Sequence, residues 1–381
     1  MTKYEIWLTT DHGARITNEY GLIPITKPLS FTISKVVNGI GNLMMKVPIT
    51  FDTDLFFQNT DMMVQVWRKQ DGGTKSIFNV YFIRELEYIT SNGKLVIQLT
   101  GADMNELLRR RIVAYYKGSD TATKFTYADD MLKEILSEAI VDGVAPAVDD
   151  GTRVWNDLTI AADTSSGPIL TQDIPFKKLL TLQGGGVFGT IVKASRAEGT
   201  EVFFDIVPDV VTSNSISFKF ITKIGQPGMD RTDTIVFSQR NNNLKQPKLK
   251  FSYLKEENYI YGLGAGKKSN RTVVQVGDSS RYNASQWNRC EGVAESRDQG
   301  DEDGVREAAR AKLDATRPIR IFQASLIDTR AIRYGRDYNV GDKVKARYAG
   351  FSFDTLIRGV VLSLNENGIE TIQCKPDWEN D

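Results

Sequence analysis

The sequence predicts a β-rich α+β protein built from several domains, and three observations carry that expectation. Its 381 residues exceed what one hydrophobic core organises, and 41% hydrophobic with 10% aromatic residues is enough to bury several. The first hundred residues alternate apolar and polar side chains between turn signals, which is the period of half-buried strands. Helical periods are confined to the middle of the chain and to one stretch after residue 300.

Taken in order, the alternation predicts strands over Glu5–Leu8, Leu29–Val36, Asn42–Ile49, Met62–Trp67, Ile77–Tyr88 and Lys94–Leu99. Asp71-Gly72-Gly73 and Ser91-Asn92-Gly93 read as hairpin turns between them. Thr100-Gly101-Ala102-Asp103 closes this β domain. A short helix is expected over Met104–Val113, with Leu107, Leu108 and Ile112 on one side. Arg109, Arg110 and Arg111 then spread around it and read as a solvated or subunit-facing helix end rather than a phosphate site.

From Thr121 to Gly199 the period becomes helical, clearest over Tyr127–Ile140 and Val187–Ala197, so an α-rich insert is expected there. The polar stretch Val141–Gln172 reads as a functional loop or interaction arm. Gly184-Gly185-Gly186 reads as a flexible helix entry, because no Walker-type lysine spacing follows. Strands return at Glu201–Val207, Ser215–Thr222 and Thr234–Phe237.

The run Lys248–Asp278 holds Gly262, Gly264 and Gly266 ahead of Lys267, Lys268 and Ser269, and so imitates a phosphate loop. A phosphate loop needs a helix next, whose N-terminal amides and dipole face the anion. Arg271-Thr272-Val273-Val274-Gln275-Val276 is instead β-branched and alternating, so a second strand follows and nucleotide binding is not expected. The glycines read as close backbone approach or a bulge. Gly292–Arg297 is ambiguous, and Asp301–Ala315 is an amphipathic helix with Val305, Ala309 and Leu313 on one face. Ile319–Cys374 holds three or four strands, with Tyr338-Asn339-Val340-Gly341-Asp342 and Asn365-Glu366-Asn367-Gly368 as turns, and fits a small terminal barrel.

Composition removes several classes of chemistry. Lys plus Arg and Asp plus Glu both number 48, so there is no net field for generic nucleic-acid or anionic-membrane binding. The two cysteines, Cys290 and Cys374, lack metal or disulfide spacing and are expected as free thiols. The amino terminus carries no signal-peptide pattern, and no run approaches the roughly 20 apolar residues of a membrane span. The single histidine, His12, would have to serve any triad alone and reads as a turn residue. The acidic pairs Asp129 with Asp130, Asp149 with Asp150, and Asp301 with Asp303 read as solvated helix starts or loops rather than glycosidase carboxylates or cation ligands. No catalytic residue, cofactor or metal is therefore assigned.

The succession of a β domain, an LLRRR helix, an α-rich insert, a glycine hairpin, a helix and a YNVGD-containing barrel resembles the tail-hub, or baseplate-hub, proteins of long-tailed bacteriophages, the siphophage group in particular. The resemblance rests on Gln98-Leu99-Thr100-Gly101-Ala102-Asp103 with Leu107-Leu108-Arg109-Arg110-Arg111, then Asn258–Gly266 with Asn270-Arg271, and last Tyr338–Val344. It spans nearly the whole chain and implies a homotrimer with two tube-like barrel domains per subunit, adapting a sixfold tail tube to a threefold tip. The domains expected on that basis are 1–103 plus 201–240 as the first tube-like domain, 104–200 as the insert, 241–318 as the second, and 319–381 as the C-terminal barrel. The implied partners are itself, a distal tail ring protein, the tape-measure protein and a tip or central-fibre protein. DNA would pass through the lumen without specific binding. Its place would be the distal tail tip of a virion, after synthesis in the host cytoplasm.

Many such proteins carry a long C-terminal hydrolase or fibre, whereas this sequence reaches Asp381 directly after the expected barrel, so no lytic activity is expected. Two other functions remain to be weighed. One is a receptor- or glycan-binding tail-tip module using Trp155, Trp287 or Trp378, although Trp155 reads first as a loop anchor packed against the body or a neighbouring subunit. The other is a cell-wall glycan hydrolase, for which the sequence offers no suitable carboxylate pair.

Overall fold

The computed structural model describes residues 3–18, 21–22, 28–48, 61–69, 75–114, 121–141, 153–212, 214–266, 268–297, 300–326, 329 and 331–378. In the N-terminal part, strands β1–β8 are Lys3–Thr9, Thr17–Asn18, Gly21–Leu22, Ser30–Val36, Asn42–Pro48, Met63–Lys69, Ser76–Ser91 and Lys94–Asp103. The middle holds α1 (Glu106–Arg110), β9 (Thr121–Tyr127), α2 (Ala128–Leu136), β10 (Leu158–Ile160), β11 (Ile169–Pro175), α3 (Gly186–Ala197), β12 (Val202–Val211) and β13 (Ile216–Ile224). Then follow β14 (Val236–Ser238), β15 (Leu244–Ser252), β16 (Tyr259–Leu263), β17 (Val273–Gly277), α4 (Ser279–Tyr282), β18 (Glu291–Glu295) and α5 (Glu302–Ala315). The chain ends with β19 (Ile319–Leu326), β20 (Lys343–Tyr348), β21 (Phe351–Leu364) and β22 (Glu370–Trp378).

Twelve strands join one sheet in the order β1-β6-β7-β8-β5-β4-β21-β22-β19-β15, with β20 beside β21 and β14 beside β20. All its pairs are antiparallel except β14 with β20. The β7–β8 hairpin turns where expected, at Asn92 (φ 51) and Gly93 (φ 73), the left-handed pair that a two-residue hairpin loop requires. The turn expected at 71–73 lies outside the described residues.

The strand grouping corrects the expected domains. The C-terminal strands do not close a separate barrel, because β21 pairs with β4 from Gly359↔Val36 to Leu364↔Phe31 and fuses them to the N-terminal strands. The segment 241–318 is split: β15 pairs with β19 in the large sheet, whereas β17-β16-β18 form a sheet of their own. β12 and β13 leave the first domain and pair with each other and with β10 inside the insert.

Three cores match these three bodies. One face of the large sheet buries Phe31, Ile33, Leu43, Met45, Leu99 and Leu362 in a continuous apolar layer. The insert packs α2 and α3 on its strands through Met131, Leu132, Phe188, Phe204 and Phe220, and extends this core onto Met63, Val80, Phe82 and Ala102 of the large sheet. It is therefore mixed α and β rather than α-rich; β9, β10 and β11 lie in polar sequence where short strands leave little periodic signal. The small unit lays α5 across its sheet, burying Ile260, Val274, Ala294, Val305 and Ala309. Gly262 makes that approach feasible, since a Cβ there would lie 2.6 Å from Val274 and 3.1 Å from both Ala309 and Val305.

Candidate assembly surface

Strand alternation determines what the large sheet offers to solvent. Opposite its apolar layer, one cross-strand row reads Glu85, Thr100, Met44, Thr32, Ser363 and Thr371, running through β7, β8, β5, β4, β21 and β22. A second row continues Glu87, Gln98, Lys46 and Ser30, and a third Ser34, Val361 and Gln373. All of these residues are exposed or half-buried. Thr32 and Ser363 bridge the β4–β21 seam with hydroxyls 3.1 Å apart, and Lys46 donates to the Ser91 hydroxyl at 3.1 Å. This face thus runs unbroken from N-terminal to C-terminal strands and is built mostly of hydroxyls, amides and a few charges of both signs, with Met44 and Val361 as its apolar members.

The insert covers only one end of the sheet because polar pegs fix it there. Asn105 donates to the Gly39 carbonyl (2.8 Å) and to Asp205 (3.1 Å), and its amide oxygen accepts from the Ile206 N–H at 2.9 Å. Asn38 accepts from the Phe204 N–H at 2.8 Å and donates to the Val202 carbonyl at 3.0 Å. Asp103, at the end of the QLTGAD motif, accepts from the Gly41 N–H at 2.8 Å. Burial, with Asp205 adding to it, pushes the Asp103 carboxyl well above its usual range against that hydrogen bond. Glu201 completes the dock: Arg358 grips both its oxygens at 2.7 and 2.6 Å, and Arg196 adds a contact at 3.0 Å. Burial opposes the Glu201 charge, yet the two guanidinium groups hold the carboxyl below its usual range.

One sheet edge is guarded. β15, an edge strand, carries Lys245, Lys248 and Lys250 with Pro247 and a register shift between Lys245 and Lys248, all of which discourage unspecific strand addition.

The sequence candidates do not converge on one place. Arg109 pairs with buried Glu106, Arg110 sits 3.0 Å from Asp61 and over the Phe82 ring, and Arg111 lies over the Trp155 ring at 4.4 Å. The triplet is thus a set of anchors facing three directions, and Trp155 packs against the insert core as the loop-anchor reading has it. Asp129 and Asp130 are not solvated as expected. They accept bonds from Thr164, Ser165 and Ser166 and pair with Lys133, fixing the 161–167 loop. Burial opposes the Asp129 charge, but those donors hold its carboxyl below the usual range.

Asp301 caps α5 by accepting from the Gly304 N–H at 2.7 Å, with Asp303 exposed beside it. His12 lies 3.0 Å from Asp157, which raises its pKa, in a turn between β1 and the insert. The segment after Gly262 is a hairpin, with a short 3-10 turn at Lys268–Asn270 leading into β17 rather than a helix. Gly186 starts α3, with Gly184 and Gly185 leading in. Trp287 is exposed. Asp149, Asp150, Lys267 and the Trp378 side chain lie outside the described residues. Among the described residues no group of acidic, cysteine and histidine side chains could hold a metal, and no helix is long and apolar enough to cross a membrane. Cys290 and Cys374 are free thiols.

The pegs Asn38, Asn105, Glu201 and Arg358 were not singled out from the sequence. Apart from the local Arg196–Glu201 contact, the partners named above lie 66 to 166 positions away, and no local spacing announces such pairings.

The model of one protein family, the Siphovirus ReqiPepy6 Gp37-like proteins, matches residues 25–375. The chain belongs to that family. The expected kinship with siphophage tail proteins is thereby borne out. A tail protein from Neisseria meningitidis MC58 shares the fold at a TM-score of 0.55 and 12% identity, over 99% of this chain and 97% of that one. The 43 kDa tail protein of prophage MuSo2 from Shewanella oneidensis does so at 0.55 and 10%, over 98% of each chain. Prophage tail protein gp18 from Listeria monocytogenes EGD-e follows at 0.50 and 10%, over 97% and 94%. No curated protein sequence matches the chain.

Proposed function

We propose that this phage tail protein is a hub that forms a trimeric ring at the distal end of the tail, adapts the sixfold tube to a threefold tip and lines the DNA exit channel. The observation that carries the reading is the single polar face running across six adjacent strands from both ends of the chain. Such a face suits a channel wall, because hydroxyls and amides with few, mixed charges give DNA no dense cationic track to bind. The family match and the shared fold supply the context.

In this reading the two tube-like halves are 3–103 and 229–252 with 319–378, joined at the β4–β21 seam, while the insert and the small unit decorate the outside. The guarded β15 edge leaves ring closure to chosen contacts. The partners are two further copies, a distal tail ring protein, the tape-measure protein and a tip or fibre protein. Light scattering across a concentration series tests the stoichiometry: a mass of three times 42.7 kDa is expected, and a monomer at every concentration would sink the proposal.

A further inference from the structure

The small unit has an open face that the hub reading does not use. α5 covers one side of the β17-β16-β18 sheet, and register sets the other as a three-by-three grid. Its central column is Tyr259, Tyr261 and Leu263; Gln275 and Val293 flank Tyr261, and Glu291 flanks Tyr259. The Tyr259 and Tyr261 ring centroids lie 5.4 Å apart, and Tyr282 sets its ring 5.6 Å from that of Tyr259. Arg289 lies 3.8 Å over the Tyr259 ring and donates to Glu291 at 2.7 Å. The tyrosine hydroxyls donate to Gln275 (2.8 Å) and Glu291 (3.3 Å). Val273 and Val293 on the same face are 53% and 52% exposed, so aromatic and apolar surface is open to solvent beside carboxylate, amide and guanidinium groups.

We propose that this face is a saccharide-binding platform, taking a short oligosaccharide with pyranose rings laid against the tyrosine pair and hydroxyls met by Gln275, Glu291 and Arg289. Size and charge both select this occupant. Three strands about 4.8 Å apart and five residues at about 3.3 Å make a plane of roughly 10 by 15 Å. A stable protein interface needs about 800 Å² per partner, several times that plane. Nucleic acid is disfavoured because Glu291 and Glu295 edge the grid and the cations beside them are already engaged, Arg289 with Glu291 and Arg271 and Arg297 with Glu295. A sugar needs what the grid holds: an aromatic surface for its C–H face and both donors and acceptors for its hydroxyls.

The test is binding of the intact protein to an array of mono- to tetrasaccharides, with N-acetylated chitin-type oligomers in one arm, as a stand-in for wall glycan, and unacetylated hexose oligomers in the other. The expected result is selective binding in one arm that falls about tenfold or more in Tyr261→Ala and persists in Tyr261→Phe. It should be unchanged in Phe125→Ala, an exposed position on the insert. Circular dichroism and melting of each variant separate lost binding from lost folding. No binding in either arm overturns the proposal, as does binding that survives Tyr261→Ala together with Glu291→Gln. Binding is read independently of mass, so a monomer that binds sugar would sink the hub reading and leave this one standing.

Discussion

The large sheet and the small sheet each leave one face to solvent, yet the two faces are made differently. The large one is mostly Thr, Ser and Gln with a few charges across six strands, over the apolar layer beneath it. The small one concentrates Tyr259, Tyr261 and two valines on three strands, with Tyr282 of α4 beside them. A surface of hydroxyls and few charges offers a passing polymer little to grip, whereas clustered aromatic rings retain what stacks on them. The same alternation rule thus yields a wall in one place and a platform in the other, and side-chain choice at the outward positions decides which.

The strongest way to break the contrast is to release the insert that bounds the wall. Glu201→Ala leaves Arg358 largely buried without its carboxylate and is expected to cost about 3–5 kcal/mol in denaturant unfolding. A loss below about 1 kcal/mol would show that the clasp does not hold the insert on the sheet. Gly262→Val strikes the platform instead, since its side chain would collide with Val274 and α5; about 1–3 kcal/mol is expected. Hydrogen exchange should show that loss in β16–β18 and α5, with protection in β4, β5 and β21 unchanged.

Acid sharpens the contrast between the two docks. Glu201 and Asp129 have folded pKa values below their unfolded ones, so their contribution is present above the ordinary carboxylate range and is lost as pH falls below it through their folded values. Glu307 and Asp314, on α5, are raised by burial, so their contribution is present at low pH and is lost as pH rises through their folded values. Glu307 accepts from the Thr171 N–H and the Gln172 amide of the insert, and Asp314 faces Arg196. Mild acidification is therefore expected to tighten the α5–insert junction before stronger acid loosens the Glu201 clasp. Exchange rates corrected for intrinsic pH dependence, compared between α5 and β12, read the order; simultaneous loosening of both would contradict it. The smallest effect is expected on the wall: Thr32→Ala should change stability by no more than about 0.5 kcal/mol, as calorimetry would register.

Much of the secondary structure was legible because alternation and helical period are local. The β4, β5, β7 and β8 strands, α3, α5 and the hairpin after Gly262 lie within a few residues of their expected limits. The hairpin reading came from Val273, Val274 and Val276 following the glycines where a phosphate loop needs a helix. Strand partnership was not legible. Nothing near Phe351 or Leu364 marks β21 as the neighbour of β4, some 330 positions earlier in sequence, so a shared sheet was read as a terminal barrel. β12 and β13 look like any outer-domain strands until they are seen to pair with each other and, through β13, with β10 of the insert. The wall itself was visible only as outward residues, strand by strand; its continuity depends on register across the β4–β21 seam. The platform was not legible for another reason: Tyr259 and Tyr261 stand just ahead of the glycines, and their flanking residues Gln275, Glu291 and Val293 come from two other strands.

The central claim is that the polar face lines a channel, and class averages of the purified protein in negative stain test it most directly. The account predicts a threefold ring with an open centre, and a bulky maleimide label on Ser363→Cys, made in a background with Cys290 and Cys374 replaced by serine and alanine, should appear as density inside that opening. A compact monomer, or label density on the outer rim of a ring, would contradict it.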